Sequence, residues 1–296
     1  MGLMDELQDT IKRLAGQVGP SVVGIGQRWG VGSGVVIGSG QVLTNAHNLR
    51  GEETTVTFSD GRTAAGTPAG VDLDGDLAIV SVNTGDVKPL EWASNGSTPG
   101  IGRLVFAMSN PGGRGLRVSF GTVTGTERSL RGPRGRRIAG SLEHTAPLLP
   151  GSSGGPVVDA AGALLGLNTN RLGEGFYLAI PADDALKQRI GGLAKGEAPS
   201  RPHLGIGIAP SRVAKGLRRA VGLPDAEGLL VRAVEDDSLA SKAGLQEGDL
   251  IVAAGGAEVK SVDDLFDALD RLGADGALDL KVLRGTEERT VSVSAS

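Results

Sequence analysis

Cysteine is absent from the 296-residue chain. That absence removes disulfides, thiolate-held zinc or iron–sulfur centres and a cysteine nucleophile together. Histidine is scarce too, with only His47, His144 and His203. No H-x-x-x-H pair exists to begin a metal site, and a three-histidine site would consume all of them, so neither metal nor organic cofactor is expected. Aromatic residues number five Phe, two Trp and one Tyr, which leaves Val, Leu, Ile and Ala to build the core. No apolar run approaches the roughly 18–20 residues of a bilayer span. The first residues, MGLMDELQDTIKRL, are amphipathic and lack a signal-peptide pattern. As written the chain is expected to be cytoplasmic, or periplasmic or otherwise extracytoplasmic if a leader has been removed. The net charge of −4 speaks against nucleic acid as a partner.

Glycine is abundant instead, at 49 residues, more than twice the roughly 7% of ordinary chains. The pattern is one of short strands joined by tight turns. Met4, Leu7, Ile11, Leu14 and Val18 make one stripe of a helix, so residues 1–19 read as an N-terminal amphipathic helix. Two β-rich series follow, from Ser21 to about Val82 and from about 100 to 180, with turn residues at the rhythm of barrels or sandwiches. Their similar lengths suggest two β-barrels side by side. Pro181 reads as the first residue of a helix over 181–195. GEAPSRP (196–202) reads as a linker. Residues 203–296 mix strands with helices, and Ser261 with Asp264 marks the capped start of a helix over 261–272.

Three segments carry candidate chemistry. LTNAHN places His47 after a strand, DGDLAIV places Asp76 before one, and PGSSGGPVV places Ser153 in a glycine-flanked turn. Each alone has a plain structural reading: a surface histidine, a turn-capping aspartate, a flexible turn. Together they supply what a serine nucleophile requires. These are a base usable near neutral pH, a carboxylate to fix its tautomer, and N–H groups, from Gly151 and Ser153, aimed at a developing oxyanion. The order His, Asp, Ser is that of the chymotrypsin-like arrangement. It puts the base and carboxylate in the first β series and the nucleophile in the second.

On these residues, and on GPSVVGI (19–25), GSGVVI (32–37), SNPGG (109–113) and GTVTG (121–125), residues 20–186 resemble the protease domain of the HtrA (DegP-like) serine endopeptidases. HLGIGI (203–208), SLASKAGLQEGDLIVAAGG (238–256) and SVDDLFDALDRL (261–272) resemble the PDZ domain that follows in that family. The resemblance implies a mainly β chain: two six-stranded antiparallel barrels of the chymotrypsin-like kind over 20–195, then a mixed α/β PDZ domain over 203–296. It implies a triad of His47, Asp76 and Ser153, with an oxyanion hole at Gly151, Ser152 and Ser153. It also implies a carboxylate-binding loop at His203, Leu204, Gly205 and Ile206, with Leu265, Phe266 and Leu269 near its pocket. The implied partners are unfolded or misfolded proteins, peptide C-termini at the PDZ domain, and two further copies in a homotrimer.

Asn48 stands where the family usually has an apolar residue, and GSSGG replaces the commoner GNSGG. The loop GQRWGVGSG (26–34) is shorter than in cage-forming members. The arginine-rich run 128–137 matches a loop that senses PDZ occupancy. Leu148 and Leu149, with no acidic neighbour, imply cleavage after small or medium aliphatic residues. A scaffold with a locked triad and an esterase on the same fold are the rival readings.

Overall fold

A computed structural model describes residues 2–26, 31–93, 99–131, 137–173, 175–197, 203–270 and 276–294. The chain divides into two compact units, Met1–Pro199 and Ser200–Ser296.

Helix α1 (Leu3–Gln17) opens the first unit and buries Leu14, with Leu7 and Ile11 packed against the same core. Met4 departs from the expected stripe, at 72% exposed, because the helix lies on the barrels only along its later turns. Strands β1 (Val22–Ile25), β2 (Gly32–Gly38), β3 (Gln41–Thr44), β4 (Thr54–Thr57), β5 (Thr63–Asp72) and β6 (Leu77–Ser81) close a barrel in the order β1-β2-β3-β6-β5-β4. Strands β7 (Leu104–Ser109), β8 (Arg117–Arg131), β9 (Arg137–His144), β10 (Pro156–Val158), β11 (Leu164–Gly173) and β12 (Phe176–Pro181) close the second in the order β10-β11-β12-β9-β8-β7.

Successive strand residues face opposite ways, and here both faces are buried. Val22, Val35, Leu43 and Ile79 meet Phe106, Met108 and Val158 in a core shared by the two barrels. Their neighbours Val23, Val36, Val42 and Val80 fill the first barrel, and Val105, Ala107 and Val157 the second. This explains why the strands read as unbroken apolar runs rather than alternating ones.

The expected helix over 181–195 begins later. Pro181 ends β12, and α2 (Asp184–Ala194) starts after Asp183, whose carboxylate accepts the Leu186 N–H at 2.8 Å. An aspartate cap satisfies a helix-end donor, which a proline cannot do. β8 and β9 form a long hairpin on which Arg128 pairs with Glu143 at 3.2 Å. Residues 132–136 of the arginine run, with the side chains of Arg131 and Arg137, lie outside the described residues. So do residues 27–30 of the short loop, 198–202 of the linker and the expected helix end at 271–272.

The second unit is a sheet of β13 (Ile206–Ala209), β14 (Leu229–Val234), β15 (Asp249–Ala254), β16 (Ala257–Glu258), β17 (Ala277–Arg284) and β18 (Glu287–Ser294). The order is β13-β14-β15-β17-β18, with β16 on β15. Helices α3 (Ser211–Ala220), α4 (Leu239–Ala243) and α5 (Val262–Asp270) accompany it. Leu265 and Leu269 of α5 join Leu229, Val231, Ile251 and Leu280 in this unit's own core. Ser261 and Asp264 exchange the expected cap bonds, at 2.7 and 3.3 Å. Among the described residues no helix is long and apolar enough to cross a membrane.

Candidate active site

β3 and β6 are paired, with Thr44 opposite Ala78. His47, in the 3-10 turn Ala46–Asn48 just after β3, is thereby brought beside Asp76, which precedes β6. Asp76 has a positive φ of 54°, a conformation that aspartate tolerates better than most residues. Its carboxylate is almost fully buried. It accepts the backbone N–H of His47 at 3.1 Å and lies 2.9 Å from Nδ1 through both oxygens. A carboxylate against Nδ1 places the imidazole proton there and leaves Nε2 free to act as a base. The His47 side chain remains 39% exposed, open to whatever enters the crevice.

A third donor to Asp76 escaped the sequence reading. Thr169 of β11 gives its hydroxyl to Asp76 Oδ2 at 2.8 Å. Its backbone carbonyl accepts the hydroxyl of Ser153 at 3.0 Å. One residue therefore ties the Asp76 carboxylate and the Ser153 turn together. The signal in the sequence was weak: three polar residues, Asn168, Thr169 and Asn170, close the otherwise apolar run LLGLNTN. Buried polar groups need partners, and that demand was the available clue.

The turn around Ser153 is fixed from the first barrel. Ser33 donates its hydroxyl to the Gly151 carbonyl at 2.8 Å and its N–H to the Ser153 carbonyl at 2.8 Å. Asn48 Nδ2 donates to the same Ser153 carbonyl at 2.9 Å, so the departure from the family pattern has a defined structural task. Gly154, with φ of 86°, cannot be replaced, since a Cβ there would meet the Ser33 carbonyl at 2.1 Å. Gly151 likewise adopts a positive φ, 87°. Among the described residues the N–H groups of Gly151 and Ser153 have no protein acceptor, whereas the Ser152 N–H is donated to Leu149 O at 3.1 Å. Ser152 is therefore removed from the expected oxyanion donors, because its one backbone hydrogen is already used.

Beneath this turn lies a buried polar pair. Asn168 receives the Gly154 N–H at 2.7 Å and donates Nδ2 to the Gly155 carbonyl at 3.0 Å. Its Oδ1 then faces His144 Nε2 at 3.0 Å, so that nitrogen carries the proton. Among the described residues Nδ1 of His144 is buried without a partner, and the ring stacks on Tyr177 with centroids 5.9 Å apart. Burial, partly opposed by the Asn168 bond, lowers the His144 pKa to about 4.

A cavity of about 240 Å³ opens beside Ser153, walled by residues 148–153 on one side and by Thr169 and Tyr177 on the other. Among the described residues no ionisable group other than the Tyr177 phenol lines it. Among the described residues no three His, Asp or Glu side chains gather as a metal cluster.

In the second unit, Gly205 turns with φ of 71° just before β13. Among the described residues the Leu204 and Gly205 N–H groups have no protein acceptor, while their carbonyls accept from Ala240 and Glu235. The Leu204 side chain is buried in the core, and His203 is exposed, 3.4 Å from Glu235. β13 is the edge strand of its sheet. Leu265 and Leu269 face the core, whereas Phe266 and Val262 are only partly buried.

Two barrels with this crevice, followed by such a unit, define a trypsin-like serine peptidase that carries a PDZ domain. Residues 32–167 match the trypsin-like peptidase domain family and residues 202–295 the PDZ domain family. The chain belongs to the HtrA/DegP-type serine proteases. It is 32% identical over 282 residues to the Synechocystis protein HhoA, covering 90% of this chain and 71% of HhoA. To the mitochondrial serine protease HTRA2 of Drosophila virilis it is 32% identical, covering 89% of this chain and 66% of that protein. It thus spans about two thirds of the length of such relatives. Among solved structures, the HtrA-type protease AlgW with a decapeptide superposes with a TM-score of 0.72 at 22% identity, covering 96% and 97% of the two chains. A serine endoprotease from Yersinia pestis gives 0.70 at 25% identity, covering 96% of each.

Proposed function

We propose that the chain cleaves unfolded or misfolded proteins through an acyl-enzyme on Ser153. The observation that carries this reading is the chain of contacts from His47 through Asp76 and Thr169 to Ser153. Ser153 Oγ attacks the substrate carbonyl carbon while His47 Nε2 takes its proton. The carbonyl oxygen becomes an oxyanion held by the Gly151 and Ser153 N–H groups. The intermediate collapses as the imidazolium protonates the departing amine, leaving an ester on Ser153. Water, deprotonated by His47, then hydrolyses that ester and restores the serine. Asp76 holds the ring and stabilises its charged form throughout. The hydroxyl now rests on the Thr169 carbonyl, so it must swing to His47 before attack. That favours a resting enzyme that a bound substrate or effector releases.

The small, uncharged cavity beside Ser153 favours cleavage after small or medium aliphatic residues. The free N–H groups at Leu204 and Gly205, beside the edge strand β13, support capture of a peptide C-terminus by strand addition, a mode that PDZ domains use. The neighbouring Ile206, Val262 and Phe266 suit an apolar terminal side chain. Peptide capture there regulates cleavage in this reading, and the homotrimer follows from the family alone; light scattering in solution checks it.

The deciding experiment treats the protein with a fluorophosphonate probe and maps the adduct. Labelling at Ser153, lost in Ser153→Ala, with casein cleaved after Val, Ala or Leu, is the expected result. A protein that neither labels nor cleaves, with or without PDZ-binding peptide, sinks the proposal; cleavage chiefly after Lys or Arg sinks the specificity.

A further inference from the structure

The segment that carries the oxyanion donors has a second open face. Behind residues 147–152 lies a cavity of about 560 Å³, and its floor is the β7–β8 ladder. In that ladder Ala107 stands opposite Ser119 and Ser109 opposite Arg117. Directly opposed residues of antiparallel strands share a face, and these four all line the cavity, with Leu148 and Ser152 across from them. Ser119 Oγ donates to the Pro147 carbonyl at 2.6 Å and anchors the segment to this floor.

The polar groups here are donors. Ser109 and Ser152 are each 3% exposed, and Ser152 Oγ donates to Ser109 Oγ at 3.1 Å. Two hydroxyls carry two protons and one bond joins them, so one proton is left, without an acceptor among the described residues. The guanidinium of Arg117 forms no ion pair or side-chain hydrogen bond among the described residues, whereas Arg103 and Arg128 of the same barrel are paired with Asp159 and Glu143. Among the described residues no carboxylate lines the cavity, and the remaining wall is aliphatic. One cation and one spare hydroxyl suit a singly charged anion. A phosphate would bring more charge and more acceptor oxygens than these groups satisfy. The aliphatic wall calls for an apolar body attached to that anion.

We propose that this cavity is an effector site for an aliphatic carboxylate. The carboxylate pairs with Arg117 and takes the spare serine proton, and the chain lies along Ala107 and Leu148. The occupant presses on Ser152, the residue between the two oxyanion donors, and so holds the backbone N–H groups of Gly151 and Ser153 in their present orientation while the Ser153 hydroxyl stays free to turn. Binding therefore raises kcat more than it changes KM. That effect on rate rests on the peptidase reading given above; the binding does not.

The test is calorimetry on full-length Ser153→Ala protein with hexanoate, hexanamide, N-acetyl-Ala-Val and its C-terminal amide, repeated in the additional Arg117→Gln background. Hexanoate saturates the site, and hexanamide binds at least about tenfold more weakly, the loss that a charge-assisted hydrogen bond commands. Arg117→Gln brings hexanoate down by a similar factor. Arg117 is exposed on a strand end, so this substitution leaves the fold intact. The peptide pair identifies the source: an Arg117-dependent component with the free peptide points to a chain terminus, and its absence beside hexanoate binding points to a free acid. Equal affinity for acid and amide, affinity unchanged in Arg117→Gln, or no saturable heat overturns the site. With the wild-type enzyme, hexanoate binding that leaves casein cleavage unaltered overturns the coupling. An absence of any cleavage beside intact binding counts against the peptidase reading alone.

Discussion

His144 illustrates how a single buried residue makes the stability of the fold depend on pH. Its Nε2–H is committed to Asn168, and its Nδ1 faces no acceptor among the described residues. Protonating Nδ1 would bury an unpaired charge. Burial accordingly lowers the group's pKa from 6.5 to about 4 in the folded chain. The unfolded chain takes up the proton first as pH falls. The stabilisation is therefore whole above pH 6.5, is lost progressively between 6.5 and 4, and loses nothing more below. The full swing is about 3 kcal/mol. Urea midpoints measured from pH 7.5 to 4 should show this slope in the wild type and a flatter one in His144→Gln. Identical slopes would refute the assignment. At this scale the sequence was uneven. His47, Asp76 and Ser153 stand in turns flanked by recognisable strands. Thr169 and His144 sit inside strands: Thr169 meets Asp76 of the other barrel, and His144 meets Asn168 only through the register of β9, β12 and β11.

At the scale of elements, legibility followed how local the stabilising contact is. The cap of α5 is a three-residue affair: Ser261 and Asp264 bond each other's backbone, and the Lys260 and Ser261 N–H groups hold the Asp264 carboxyl below the usual carboxylate range. Such a start is visible in the sequence. Ser261→Ala should cost about 1 kcal/mol, read as a lower denaturant midpoint for the PDZ unit; an unchanged midpoint would show that the cap is dispensable there. The start of α2 was less legible, because Pro181 suits a first helical turn as well as a strand end. Only the ladder between β11 and β12, which pairs Gly166 with Pro181, decides between them. α3 escaped for another reason. Its buried face is Ala214 and Arg218, the latter donating to the carbonyls of Pro224 and Gly285, while Val213 and Leu217 are exposed. Its apolar residues therefore do not mark its packed side.

For the whole molecule, the separation of cores matters most. The barrels share one core and fill two more, while the PDZ unit closes around its own. Each unit therefore has what it needs to unfold cooperatively, and calorimetry should resolve two transitions. Arg284 pairs with the fully buried Asp249 through two bonds of 2.7 and 2.8 Å. Arg284→Ala should destabilise the PDZ unit by about 3–5 kcal/mol and leave the other transition in place. A common shift of both would contradict independent units. The division was legible from composition and motifs; the buried ion pair was not, since its members are 35 residues apart.

The stitches from Ser33 and Asn48 have a consequence for the newborn chain. They come from one barrel and fasten carbonyls of the other, so the loop holding Ser153 takes the shape described here only once both halves have closed upon each other. Under the mechanism proposed for Ser153, a partly folded copy carries the serine without an assembled oxyanion pocket and so leaves itself and its siblings uncut. Completion of the fold is in this sense the safety catch of the enzyme.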